Sequence, residues 1–233
     1  MNFNNKWNKE SYSKYLKYLL SIKDDKVKEF NKKLIITKSE ILGIKIPVLR
    51  QIAKQIAKTD IDSFLRNVQN IYYEEILVEG FVIGTIKDKD LFIKYFDKFI
   101  YKIDNWSVCD SCISSFKIIN KIDFFKRAEL LVNDNKEFIQ RTGIIIMLDY
   151  YLDDKHINEV LDIATRVKSD YYYVNMAISW LISASFVKYR TLTLELIKRK
   201  NLPTFVQNKA IQKIRESYKV EKADKEMLLK YKL

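Results

Sequence analysis

The sequence predicts an all-α protein, a solenoid of antiparallel helix pairs stacked along the chain. Three observations predict it. Only four glycines and two prolines occur in 233 residues, too few for the tight turns that hairpin-connected sheets need. Apolar residues recur at helical spacing along most of the chain. Amphipathic helices also alternate with helices that are apolar nearly all round, and a helix without a polar face belongs inside.

In chain order, Asn8 to Ile22 carries Tyr12, Tyr15, Leu16, Leu19 and Leu20 at helical spacing and reads as a first amphipathic helix. Lys26 to Lys33 sets Val27 and Phe30 among lysines and is ambiguous, while the β-branched run Leu34-Ile35-Ile36-Thr37 reads as extended or looped. At Gly43-Ile44-Lys45-Ile46-Pro47-Val48-Leu49-Arg50, a turn glycine and a first-turn proline precede an apolar-periodic run to Ala57. Amphipathic helices follow at Ile61 to Val68, Leu91 to Ile100, Phe124 to Val132, Ile157 to Val167 and Leu192 to Arg199. Between them lie the mostly apolar runs Tyr72 to Ile86, Trp106 to Ile119, Phe138 to Leu152 and Tyr172 to Val187, and Thr204 to Tyr218 closes the series with a basic face.

The repeat has a measurable period. Tyr72 to Trp106 spans 34 residues, Trp106 to Ile139 33, Ile139 to Val174 35 and Val174 to Val206 32. Near-equal intervals of helix pairs are the signature of HEAT or armadillo-like repeats, in which each pair buries its face only against its neighbours. Such stacks curve, so the inner helices are expected to line a concave face, within one domain spanning residues 1–233.

Charge suggests the partner. The chain carries a formal charge of +12, which favours a polyanion, nucleic acid first and an acidic membrane surface second. From Lys188 to Leu233 there are 13 Lys or Arg against 5 Asp or Glu, a surplus of eight that leaves +4 for the other 187 residues. This basic end is the natural phosphate-facing end. No run of about 18 apolar residues is present to span a membrane, and Met1 to Lys6 lacks a signal-peptide core, so a cytoplasmic protein is expected.

Cys109 and Cys112 have C-x-x-C spacing. One histidine, His156, cannot complete a four-ligand zinc site with them, and a redox dithiol needs a strand-to-helix junction that this helical run does not offer. Both are expected as buried reduced thiols, with no metal. His156 sits at a loop-to-helix junction and is expected at the surface; a nucleophilic triad has no other base to draw on.

The stretch Asp104-Asn105-Trp106-Ser107-Val108-Cys109-Asp110-Ser111 sets an indole and a carboxylate four residues apart in a helical pattern, which by itself reads either as a site or as a core Trp beside a capping or solvated Asp. Trp106 and Asp110 stand at i and i+4 and share a helix face. An indole presents a flat face to a cation, and a carboxylate stabilises developing positive charge.

With Gly43-Ile44-Lys45-Ile46-Pro47 and Arg50, Tyr73-Glu74-Glu75, the Trp106 and Asp110 pair, Ile139-Gln140-Arg141, Ala177-Ile178-Ser179-Trp180 and Lys209-Ala210-Ile211 in this order, the chain resembles the AlkD-like DNA glycosylases over essentially its whole length. These are bacterial right-handed solenoids of HEAT-like repeats that remove cationic N3- and N7-alkylated purines from double-stranded DNA. The resemblance implies catalytic roles for Asp110, Trp106 and Trp180 and a DNA contact for Arg141, with Lys45, Lys188, Arg190, Lys209, Lys213 and Arg215 as further candidate contacts. It implies no cofactor, a monomer, and action without drawing the lesion into a base pocket.

Members carry a short helix after the first that grips DNA near the lesion. Here the corresponding stretch is residues 26 to 40, and its β-branched run argues against a helix. Two classes of function follow: a glycosylase using Asp110, or a catalytically silent HEAT-like binder of DNA or another polyanion that keeps Trp106, Asp110, Arg141 and Trp180 but lacks that helix. A protein-interaction solenoid is a third.

Overall fold

The computed structural model describes residues 6–233, and among them every regular element is helical, with one isolated β-bridge between Glu40 and Tyr72. Contacts divide the chain between Ile122 and Asp123 into two compact units, each a stack of helices.

The first unit holds α1 (Lys9–Ser21), α2 (Asp25–Leu34), α3 (Ile46–Ile56), α4 (Ile61–Asn67), α5 (Tyr73–Ile83), α6 (Lys89–Phe99) and α7 (Trp106–Ile113). α5 packs against α3, α6 and α7, and α1 against α4. Asn8, Asp24, Asp60, Asp88 and Asn105 each accept a hydrogen bond from a first-turn backbone N–H of α1, α2, α4, α6 and α7, satisfying donors that a helix start otherwise leaves orphaned. Pro47 sits in the first turn of α3, where its missing N–H costs nothing. Trp7, Tyr12, Tyr15 and Phe64 close this end of the unit, with Trp7 and Phe64 edge to face at 4.9 Å.

Every residue of α5 is buried, including Glu74, Glu75 and Glu79. Each carboxylate is answered. Glu74 accepts from the backbone N–H groups of Leu42 (2.9 Å), Gly43 (2.7 Å) and Ile44 (3.2 Å). Glu75 accepts from the Tyr12 hydroxyl at 2.5 Å and from the N–H groups of Ile71 and Tyr72, both at 2.9 Å. Glu79 pairs with Lys102 at 2.6 Å. Burial pushes the carboxyls of Glu74 and Glu79 above the ordinary range, and the N–H donors and Lys102 respectively pull them back.

Two glycines permit close approach. Gly43 has φ of +90°, and a Cβ there would stand 2.2 Å from the Asp24 carbonyl oxygen, so this glycine lets the α2 start lie against the 42–44 loop. A Cβ on Gly80 would stand 2.4 Å from Cys112 Sγ, which sets how closely α5 and α7 meet.

The second unit holds α8 (Phe125–Val132), α9 (Glu137–Tyr150), α10 (Ile157–Arg166), α11 (Tyr172–Lys188), α12 (Arg190–Lys198), α13 (Thr204–Glu216) and α14 (Lys222–Met227). α11 packs between α9 and α13, with α10 and α12 also against it and α8 against α9. The expected alternation of inner and outer helices is therefore the arrangement found within each unit, an all-α helical repeat. Among the described residues no helix is long and apolar enough to cross a membrane.

Three details differ from expectation. α7 ends at Ile113 rather than Ile119, because the Ser114 and Ser115 hydroxyls bond back to the carbonyls of Ser111 (3.1 Å) and Cys112 (2.5 Å) and the chain turns at Phe116. Lys222–Met227 adds a helix beyond the last one expected. His156 lies at its loop-to-helix junction, but its side chain is only 14% exposed, stacked 4.9 Å from the Phe125 ring and hydrogen-bonded through Nδ1 to Asp153 at 2.8 Å.

Replacing Glu74 by alanine strands three backbone N–H donors, each of which costs about 1–3 kcal/mol when left unpaired in a buried place. Urea unfolding of Glu74→Ala is expected to show a loss of about 3 kcal/mol, and Glu74→Gln, which keeps one acceptor oxygen, a smaller loss. Equal stability of Glu74→Ala and the wild type would show that the 42–44 loop does not depend on this carboxylate.

Candidate functional site

In the first unit the site is built on the start of α7. Asn105 caps the helix through its side-chain oxygen, 3.0 Å from the Val108 N–H. Trp106 opens α7, and Asp110 follows one turn later, both partly exposed. The Trp106 indole N–H donates to the Leu34 carbonyl at 3.0 Å, which fixes the ring against the end of α2.

A second set of bonds joins the same two segments. Asp104 accepts from the Thr37 hydroxyl at 3.0 Å, from the Lys38 N–H at 2.7 Å and from the Asn105 side-chain amide at 2.8 Å. Together these bonds latch the segment after α2 onto the approach to α7. Trp106 lines an open cavity of about 420 Å³ with Phe30, Leu34, Lys45, Pro47 and Tyr73, so the structure brings Lys45 and Trp106 to one cavity.

The stretch expected to lack a helix contains one. α2 is started by Asp24, which accepts from the Lys26 and Val27 N–H groups at 2.8 and 3.2 Å, and its last turn carries Lys32 and Lys33, favourable at a helix C-terminus. The crowd of lysines masked a stripe of Val27, Phe30 and Leu34 at helical spacing. None of its residues is buried; Phe30 is 62% and Leu34 49% exposed. Ile35 is extended, as the β-branched run implied.

Neighbouring residues hold α7 in place. Arg50 donates to the Ser111 carbonyl at 2.9 Å, and its guanidinium lies 4.1 Å from the Phe81 ring centroid, tying α3, α5 and α7 together beside Asp110. The Tyr73 and Ser107 hydroxyls share a hydrogen bond of 2.7 Å. Cys109 and Cys112 are buried free thiols, and burial pushes the Cys112 thiol up, which suits packing and not nucleophilic chemistry.

In the second unit Trp180, on α11, is 44% exposed and lines an open groove of about 630 Å³ with Val187, Lys188, Lys213, Ser217 and Lys219. Three residues singled out in the sequence, Trp180, Lys188 and Lys213, thus meet there. Arg141 is only 5% exposed and donates to the Tyr173 carbonyl, joining α9 to the start of α11.

Arg190 forms a two-pronged ion pair with Asp224 at 2.6 and 2.5 Å, which lowers the Asp224 carboxyl below its ordinary range and neutralises the arginine locally. Arg215 donates to the Lys225 carbonyl at 3.1 Å, and Lys209 to the Gln212 side chain at 2.8 Å. Sequence reasoning did not single out Asp104, Arg50 or Tyr73 for these contacts. Asp104 was visible as the acid preceding a cap, but its partners lie 66 and 67 residues away.

A family model described as DNA alkylation repair enzyme matches residues 15–214 of the chain. No curated protein matches it.

The latch can be tested without assuming a reaction. Asp104→Ala removes acceptors from Thr37 and Lys38, and amide hydrogen exchange across residues 34–38 is expected to speed up by about tenfold, the equivalent of about 1.4 kcal/mol of local opening. Unchanged exchange there would show that α2 is held by other contacts.

Proposed function

Because the chain belongs to the DNA alkylation repair enzyme family, we propose that it is a DNA glycosylase that excises cationic N3- and N7-alkylated purines from duplex DNA. The observation that carries this reading is the Trp106 and Asp110 pair at the start of α7, one turn apart and partly exposed, with the indole held by the Leu34 carbonyl. A site held rigid before substrate arrives is what charge stabilisation requires.

Alkylation at N3 or N7 makes the purine cationic, so it departs as a neutral base without being protonated, and no catalytic histidine is needed. The C1′–N bond breaks with its electron pair leaving on the base, and positive charge develops on the sugar. Asp110 stabilises that oxocarbenium-like charge and orients the water whose oxygen adds to C1′, accepting its proton. The products are a free base and an abasic site. Trp106 presents an indole face to the sugar cation.

In the same reading Lys45 and Lys188, both exposed, contact phosphates, with Lys213, paired with Glu216, and Lys209 and Arg215 as further contacts. For Arg141 and Arg190 a phosphate contact competes with the bonds to Tyr173 and Asp224. The reaction as written uses water and no cofactor, and a monomer acting in the cytoplasm suffices. The silent-binder alternative assumed no helix in residues 26 to 40, and α2 runs through that stretch as far as Leu34.

Purified protein incubated with methylated duplex DNA is expected to release 7-methylguanine or 3-methyladenine, measured by chromatography with mass detection. Asp110→Asn is expected to lower the rate by about 100-fold or more, the scale of losing one preorganised stabiliser of transition-state charge. No release by the wild type, with salt-sensitive duplex binding retained, would replace this reading with the silent binder.

A further inference from the structure

A row of aromatic rings crosses the second unit, and the reading above does not use it. Phe138, in the first turn of α9, packs on Tyr173 with centroids 5.5 Å apart, Tyr173 meets Tyr172 at 5.3 Å, and Tyr172 meets Phe205 of α13 at 5.9 Å. Lys209, one turn along α13, holds its ammonium 5.9 Å from the Phe205 centroid. The row therefore runs across the first turns of three successive inner helices and ends at a cation.

Apolar residues at helical spacing usually serve a core. Val174 and Val206 do so here, each fully buried, whereas Tyr172 is 56% and Phe205 40% exposed. Tyr171, beside them, is 43% exposed. The rings meet edge to face, at 76° for Tyr172 with Tyr173 and 63° for Tyr172 with Phe205. They support one another while leaving much of their surface to solvent.

The surroundings select the partner. Phe205, Lys209 and Lys213 stand at i, i+4 and i+8 on α13 and share a face; Lys213 is paired with Glu216 at 3.1 Å, so the face presents a ring followed by one cation, Lys209. Lys209 is hydrogen-bonded to the neutral Gln212 amide and keeps its charge. The segment from Lys188 onward carries the surplus of eight positive charges. Rings that stack and cations that catch phosphate are the combination that holds single strands, since every base has a π face. A duplex keeps those faces inside its own stack.

We propose that Tyr172 and Phe205 form a stacking platform for unpaired bases of single-stranded DNA, with Lys209 on the adjoining phosphate. This surface goes beyond the duplex reading, and it does not depend on Asp110 being catalytic.

The test uses the full chain and two labelled oligomers of about 15 nucleotides, one of oligo-dT and one of the same length built entirely from abasic sites, compared by fluorescence anisotropy. The phosphates are the same and only the bases differ. Oligo-dT is expected to bind about a hundredfold tighter, and Tyr172→Ala and Phe205→Ala each to narrow that gap by about tenfold, the scale of one lost stacking contact. Tyr172→Phe keeps the ring and is expected to keep the gap. Lys209→Gln is expected to weaken both oligomers alike and to reduce the salt dependence by about 0.7 in logarithmic slope.

Equal affinity for the two oligomers, or a gap that survives the double variant Tyr172→Ala with Phe205→Ala, overturns the proposal. So does polyglutamate competing as well as oligo-dT, the behaviour of a surface that serves an acidic protein. Base release from methylated duplex is measured in parallel. A wild type that releases no base yet prefers oligo-dT sinks the glycosylase reading and leaves this one standing.

Discussion

A carboxylate taken out of water must be met by hydrogen-bond donors, or burial costs several kcal/mol. The first unit depends on that constraint being met three times along one helix. α5 has no solvent face, so Glu74, Glu75 and Glu79 bind the 42–44 loop, Tyr12 with the 71–72 backbone, and Lys102. Each acid draws a different piece of chain onto the same helix. The loop held by Glu74 leads into α3 and lies against α2, so the lining of the Trp106 cavity is set from inside the unit.

The same logic reaches the site. Trp106 and Asp110 lie on a short helix whose outlook is fixed from both ends. Asn105 and Asp104 act at its start, and Arg50, braced on Phe81, holds the Ser111 carbonyl further along. Of the two buried thiols, Cys112 packs against α5, where Gly80 leaves room for it. The surface of α7 is thus free to carry an indole and an acid while its inner face is occupied with packing.

What could be read from the sequence was what repeats. The spacing of inner helices and their contrast with the outer ones survive any local irregularity, because each is a statement about many residues. α2 was obscured because four lysines outweighed a three-residue apolar stripe, and its stability comes from Asp24 at one end and Asp104 and Trp106 at the other, contacts that spacing cannot reveal. The early end of α7 depended on two serine hydroxyls. Trp106, Asp110 and Trp180 were legible as residue types at telling positions. That Arg190 spends its charge on Asp224, or that Arg141 is nearly covered, was not, since their partners lie 34 and 32 residues away.

α2 contributes no buried side chain to the unit and is joined to it at its ends and through Lys28, which pairs with Glu40 at 3.2 Å and lies against Gly43. Such an element can exchange the side chains of its outer face while the helical stack behind it keeps its interior. The outer face of α2 and the interior of α5 thus answer to different demands, the one to whatever meets it from solvent and the other to the packing around it.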